Sequence, residues 1–87
     1  MPHPNGIIIH PEARIGVNCL IFQQVTIGTR REGGAPEIGG HVDIGAGAKI
    51  LGGVRVGKHA KVGANAVVLA DVEAHGTAVG VFANETS

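Results

Sequence analysis

The chain has 87 residues, which suffices for one small domain, and its formal charge is zero, with seven basic and seven acidic residues. Phe22 and Phe82 are the only aromatic residues, so the chain lacks the basic stripe and the stacking platforms of a nucleic-acid surface. A single cysteine excludes an internal disulfide framework, and no apolar run is long enough to span a membrane, so the cytoplasm is the expected compartment.

The N-terminal third already shows a six-residue repeat. An Ile opens each of four successive hexads: Ile9, Ile15, Ile21 and Ile27. The same phase continues back to His3, so the repeat is in progress at the start of the sequence. We therefore expect further coils or a helical domain to precede it. Cys19 takes the fifth position of its hexad and is expected to be an inert core residue.

The segment 28–37 interrupts the repeat. It follows Ile27 and is too long for one hexad. The excess predicts a loop that leaves the coil and carries Arg30 and Arg31.

Beyond the loop, six consecutive hexads keep one phase. Their opening residues are all Ile or Val: Ile38, Ile44, Ile50, Val56, Val62 and Val68. Their fifth residues are all Val or Ala: Val42, Ala48, Val54, Ala60, Ala66 and Val72. Neither an α-helix nor a plain strand keeps this period, whereas a β-helix does. Gly at the second position of several hexads suits a crowded backbone.

Without the loop, the hexads form three-sided coils, each built from three hexads. The predicted stacks of opening residues are Ile9, Ile27, Ile50 and Val68 on one side, Ile15, Ile38 and Val56 on the second, and Ile21, Ile44 and Val62 on the third. We predict an all-β, single-stranded parallel β-helix with one protruding loop. Each buried Ile or Val contributes roughly 1.5–3 kcal/mol, so Ile44→Asp should be among the most damaging changes.

The repeat degrades after Glu73. Val79, Val81 and Phe82 are predicted to cover the last coil, and residues 84–87 are predicted to fray. The sequence therefore predicts one β-helix domain over residues 1–83.

Hexads with this consensus resemble those of the hexapeptide-repeat acyltransferases, whose coils wind into a left-handed parallel β-helix. Three features narrow the resemblance to the serine O-acetyltransferase family. Residues 3–9, HPNGIII, resemble the family segment that holds its catalytic histidine. Residues 21–28 resemble the coil before the active-site loop, and residues 44–52 with 61–69 resemble the coils that hold coenzyme A. The resemblance covers only the catalytic half of a family member.

The resemblance implies a reaction and its residues. The family transfers the acetyl group of acetyl-CoA to the hydroxyl of L-serine, a step of cysteine biosynthesis. His3 takes the place of the general base, a task that suits imidazole because its pKa lies near neutrality. Ala46 and Ala64 take places that hold the coenzyme through the main chain, and Lys61 is a candidate for its phosphates. The family assembles as trimers, and no metal cofactor is expected.

The loop departs from the family pattern. Gly34 and Ala35 stand where a typical member has an Arg that holds the substrate carboxylate and a second active-site His. A family Glu in the first matched coil is replaced by Pro11. Arg30 or Arg31 is a candidate replacement for the carboxylate clamp, since guanidinium pairs with carboxylate through two hydrogen bonds.

The end of the chain also differs from the family. Members that bind O-acetylserine sulfhydrylase do so through a tail that typically ends in Ile, whereas this sequence ends in Ser87. We therefore do not expect that complex.

Two histidines are expected to stack outside the core. His41 and His59 are both fourth in their hexads and are separated by three hexads, which places them on one outer edge of adjacent coils. They form either a solvated edge or half of a metal site, for which a third ligand is not evident. His10 and His75 are expected to be structural or surface residues.

Three alternatives to serine acetylation remain open at this point. One is an O- or N-acetyltransferase that acts on a sugar or polysaccharide, because the serine-specific loop residues are missing. Another is a truncated scaffold that trimerises without turnover. The third is a metal-dependent anhydrase built on the stacked histidines.

Overall fold

The computed structural model describes residues 6–29 and 34–82, and this part of the chain is a left-handed parallel β-helix. His3, Arg30, Arg31 and the tail 84–87 lie outside the described residues. Within those residues, no helix occurs that is long and apolar enough to cross a membrane. The predicted fold class is confirmed.

Short strands alternate with corners along the chain. They are β1 (Ile8–Ile9), β2 (Arg14–Ile15), β3 (Leu20–Ile21), β4 (Thr26–Gly28), β5 (Glu37–Ile38), β6 (Asp43–Ile44), β7 (Lys49–Leu51), β8 (Arg55–Val56), β9 (Lys61–Val62), β10 (Val67–Val68), β11 (Thr77–Ala78) and β12 (Val81–Phe82). Face 1 contains β1, β4, β7, β10 and β12. Face 2 contains β2, β5 and β8, and face 3 contains β3, β6, β9 and β11.

The strand register confirms the predicted stacks of opening residues. On face 1, Ile27 pairs with Ile9 above it and with Ile50 below it. On face 3, Ile44 pairs with Ile21 and Val62. These strand pairs are parallel, because each coil returns to a face in the same direction.

The core runs along the inside of the tube. The opening and fifth residues of the central hexads fill it, and Ile27, Ile44, Ile50, Val42 and Val68 are completely buried. The described residues contain no buried polar or charged side chain. Apolar burial is therefore the main source of the free energy of folding.

The corners use a left-handed backbone at the fourth position of the hexad. The non-glycine residues with φ between 59° and 64° are Asn18, Gln24, His41, His59, Asn65 and His75. Asn and His are among the residues that tolerate this conformation best. At the second position the coils approach closely: a Cβ added to Gly45 would lie 2.6 Å from the Ala64 nitrogen.

The last coil is shorter than predicted. Ile9 pairs with Ile27, three hexads later, whereas Val68 pairs with Phe82 before three hexads have passed. Two places account for the difference. Val72 forms a bridge with Val56 and is buried at 4% exposure, so the side that it opens begins early. Only residues 79–80 separate β11 from β12. The assignment of Val72 to a fifth position was therefore wrong, since it opens a side of the tube.

The prediction for the end of the tube is only partly correct. Phe82 packs against the core, but Val79 and Val81 remain 65% and 71% exposed. They do not cover the last coil, because their side chains stand on the outside of the tube. Cys19, in the first coil, is half-buried against the core, with its thiol 3.2 Å from the Gly39 carbonyl oxygen.

Candidate functional site

The described residues contain the coenzyme part of the predicted site. Ala46 and Ala64 lie one coil apart at the corner between faces 3 and 1, which we call the alanine corner. Ala64 is exposed and Ala46 is half-buried. Because neither position carries a large side chain, a ligand can reach the backbone there.

The alanine corner ends in an open carbonyl group. The Gly47 amide donates to the Gln23 carbonyl at 2.9 Å, and the Asn65 amide donates to the Ala46 carbonyl at 2.8 Å. In the next coil only residues 79–80 separate β11 from β12, so this corner is shorter than the one at Ala64. Among the described residues, no backbone amide donates to the Ala64 carbonyl. This carbonyl is therefore free to accept a hydrogen bond from an amide of a ligand.

Two lysines stand on the faces beside the alanine corner. Lys61 is exposed on face 3, shortly before Ala64, and it pairs in register with Asp43 and Thr77. Lys49 is exposed at the start of β7 on face 1, shortly after Ala46. Lys49 was not predicted from the sequence, because only the fold brings it beside the corner that holds Ala46 and Ala64. Its position just past the corner makes it a second candidate for a phosphate.

The corner between faces 2 and 3 carries a row of three histidines, which we call the histidine corner. The rings of His41 and His59 are 4.9 Å apart and 5° from parallel, which confirms the predicted stack. His75 continues the row, with its ring 5.0 Å from that of His59 and 6° from parallel. This third member was not predicted, because the shortened last coil brings it less than three full hexads after His59.

Backbone hydrogen bonds hold the row in place. The His41 amide donates to the carbonyl of Val17, the His59 amide to that of Gly40, and the His75 amide to that of Lys58, at 2.8, 3.0 and 2.9 Å. No group of three or more His, Cys, Asp or Glu side chains in the described ranges is placed to hold one metal ion. The anhydrase alternative thus gains no catalytic metal site from this part of the chain.

Comparisons with known proteins find the same hexapeptide repeat and the same β-helix. Residues 35–70 match the family described as "Bacterial transferase hexapeptide (six repeats)". A serine acetyltransferase from Staphylococcus xylosus is 44% identical over 82 residues, which are 91% of this chain and 38% of the relative. The chain is therefore similar to the hexapeptide-repeat β-helix of serine acetyltransferases. It spans less than two fifths of the length of that relative.

Two solved serine acetyltransferases share this β-helix. The crystal structure of the Neisseria gonorrhoeae enzyme in complex with serine has a TM-score of 0.82 and is 44% identical, over 87% of this chain and 32% of the other. A serine acetyltransferase in complex with CoA has a TM-score of 0.82 and is 46% identical, over 87% of this chain and 32% of the other. The likeness therefore extends over most of the described tube.

The histidine row gives the stability of this β-helix an expected dependence on pH. Neighbouring groups partly shield the exposed ring of His59 from water, and this, with the charges of His41, His75 and Lys58, lowers the pKa of His59 below its ordinary value of 6.5. The unfolded chain thus binds more protons than the folded chain just below pH 6.5. This contribution to stability is complete above that pH and is lost as the pH falls through the folded pKa.

We expect the melting temperature of the wild type to fall relative to that of a His59→Asn variant as the pH is lowered from about 8 to about 5. Asn is the matched replacement because Asn18 and Asn65 adopt the same backbone conformation, with φ of 59° and 61°. Groups that do not interact with His59 cancel in the difference between their melting temperatures. A difference that stays constant over this range would contradict the expectation.

Proposed function

We propose that this chain is the catalytic β-helix of an enzyme that transfers the acetyl group of acetyl-CoA to the hydroxyl of L-serine. The observation that carries the proposal is the likeness of the tube to solved serine acetyltransferases bound to serine and to CoA. The small residues and the open Ala64 carbonyl of the alanine corner fit a coenzyme that is held through its amides. The lone thiol of Cys19 suits a reducing compartment, and we place the enzyme in the cytoplasm.

In the proposed reaction His3 acts as the general base. Its imidazole removes the proton of the serine hydroxyl while the oxygen bonds to the thioester carbonyl carbon. The carbon–sulfur bond then breaks, and the thiol of CoA leaves with the proton returned by the imidazolium. O-acetylserine and CoA are the products, so atoms and charge balance without a metal ion.

Bulk at the alanine corner should impair coenzyme binding. Ala64→Leu would cover the open carbonyl and fill the space in front of it, so we expect the Kd for CoA to rise by about tenfold or more. Ala74→Leu is the matched control, because Ala74 is also an exposed corner residue but lies at the histidine corner. Isothermal titration with CoA measures both variants. Equal weakening by both changes, or by neither, would remove the alanine corner from the coenzyme site.

The acceptor is tested by a direct comparison of hydroxyl and amine substrates. The release of CoA from acetyl-CoA is followed with serine, glucosamine and maltose as acceptors, and turnover with serine alone is expected. Turnover with a sugar but not with serine would identify the sugar as the acceptor. CoA binding without turnover of any acceptor would support the scaffold alternative. In the same assay an Arg30→Ala, Arg31→Ala double variant should have a raised KM for serine; an unchanged KM excludes these residues as the carboxylate clamp.

The outer side of face 1 supports a homotrimer. Val81 and Ile8 are 71% and 62% exposed there, while Leu51, Val67 and Leu69 are half-buried on the same face. Thr26 and Lys49 lie in the same outward row between Ile8 and Val67. The apolar side chains on either side of them favour association with further copies of the chain. A trimer packed through face 1 places the alanine corner at a subunit boundary and leaves the histidine corner outside.

A charge on face 1 should therefore break the assembly. We expect Val81→Asp to shift the chain from trimer to monomer in sedimentation experiments, because the carboxylate would have to be desolvated in the interface. Val17→Asp, at a similarly exposed Val on the corner between faces 2 and 3, should remain trimeric. A Val81→Asp protein that sediments like the wild type would place the interface elsewhere.

A further inference from the structure

The histidine corner has features that its role in the fold does not require. The side chains of His41, His59 and His75 are all exposed, so they add little to the core. In the described part of the chain, no hydrogen bond or ion pair involves their rings. Other corners of the tube accommodate Asn or Gln in the same backbone conformation. Three aligned imidazoles at a water-exposed edge are therefore available to bind a ligand.

The spacing of the rings is close to that of a two-histidine chelate. A Zn²⁺ ion bound tetrahedrally at about 2.0–2.1 Å requires its two nitrogens to be about 3.3 Å apart. Parallel rings 4.9 Å apart hold equivalent nitrogens at about that separation, with their lone pairs in parallel planes. To bind one ion, each ring must move by about 0.8 Å and tilt until its lone pair points at the metal. Exposed side chains on a fixed backbone can make both movements by rotation about χ1 and χ2, since the His χ2 torsion is broad.

We propose that the histidine corner binds one borderline transition-metal ion, such as Zn²⁺ or Ni²⁺, between His59 and either His41 or His75. The two pairs are equivalent in distance, at 4.9 and 5.0 Å, and both contain His59. One ring nitrogen of His59 serves one ion at a time, so the stoichiometry is one ion per chain. Water completes the coordination, because the edge is open to solvent.

This site is separate from the proposed coenzyme site. The histidine corner joins faces 2 and 3, whereas Ala46 and Ala64 lie between faces 3 and 1. The ion takes no part in acetyl transfer, so the proposal stands or fails independently of the serine reaction. The ammonium group of Lys58, next to His59 in the chain, opposes a bound cation and keeps the affinity moderate.

Isothermal titration of the whole chain with ZnCl₂, repeated with NiCl₂, tests the site. The wild type should bind one ion, and His59→Asn should weaken binding by about tenfold or more, because it breaks both pairs. Each of the single variants His41→Asn and His75→Asn retains one pair, so its affinity should stay within about twofold to threefold of that of the wild type. The double variant His41→Asn, His75→Asn retains no pair and should lose binding. His10→Asn removes a histidine outside the row and should bind as the wild type does.

A second measurement guards against variants that fail to fold. About 100 μM ZnCl₂ should raise the melting temperature of the wild type and of His10→Asn, but not that of His59→Asn, since a ligand stabilises only a state that binds it. Melting without ZnCl₂ establishes that each variant folds. The proposal is overturned if the wild type binds neither ion, if His59→Asn binds as tightly as the wild type, or if either end variant alone abolishes binding.

Discussion

Replacing His3 with Ala is expected to lower kcat/KM for serine by about 10²–10⁴-fold, the usual contribution of a general base. The loss should fall mainly on kcat, because the imidazole acts on a proton that moves in the transition state. The Kd for CoA should stay unchanged, since the proposed coenzyme contacts lie at the alanine corner. Steady-state kinetics with acetyl-CoA and serine, together with titration of CoA, measure the two effects separately.

His10→Ala is the matched control for that experiment. His10 lies only a short way further along the chain, and its Nδ1 accepts a hydrogen bond from the Glu12 amide at 3.0 Å. This local turn contact gives it a structural role, so its loss should leave kcat within about threefold of the wild type. If His10→Ala removed activity and His3→Ala did not, the base would have been assigned to the wrong histidine.

The period of the sequence was sufficient to predict the tube and most of its register. The chain from Ile27 to Ile50 is longer than three hexads, yet these two residues pair directly once the loop 28–37 is set aside. The pairing is predictable because each inward position accepts only an aliphatic side chain, so a slip of one residue would bury a polar group. The stacks on all three faces follow from that single constraint.

The shortened last coil could not be predicted in the same way. Val72 suits either a fifth or an opening position, because both are filled by Val elsewhere in the tube. Only its bridge to Val56 decides between them. Because the last coil was predicted at full length, His75 was not assigned to the histidine row. The open carbonyl of Ala64 was not predicted either, because it depends on the short corner at Gly80.

The candidate site was predicted by resemblance more than by physical pattern. Ala46 and Ala64 are small residues at a corner, and nothing in their chemistry distinguishes them from Ala74. The structure adds a physical difference, because the Ala64 carbonyl is open at a corner flanked by Lys49 and Lys61. His3, Arg30 and Arg31 lie outside the described residues, so their roles stay predictions.

Replacing Ile44 with Asp should unfold the protein under conditions in which the wild type is stable. Ile44 is fully buried and lies between Ile21 and Val62 in the stack on face 3. The change removes the burial of an aliphatic side chain and places a carboxyl group where the described core offers no polar partner. A cost above about 4 kcal/mol is expected for such a change, against a total stability of about 5–15 kcal/mol for a typical domain.

Two control variants separate burial from charge in this experiment. Ile44→Val keeps the site apolar and should cost about 0.5–1.5 kcal/mol, the usual range for removing one buried methylene. Val17→Asp introduces the same charge at a side chain that is 68% exposed, so its free energy of unfolding should stay within about 0.5 kcal/mol of the wild type. Urea unfolding followed by circular dichroism ranks the three variants. If Ile44→Asp unfolded at the same urea concentration as Val17→Asp, the side chain of Ile44 would have to face water, and the inward stack that defines the tube would be wrong.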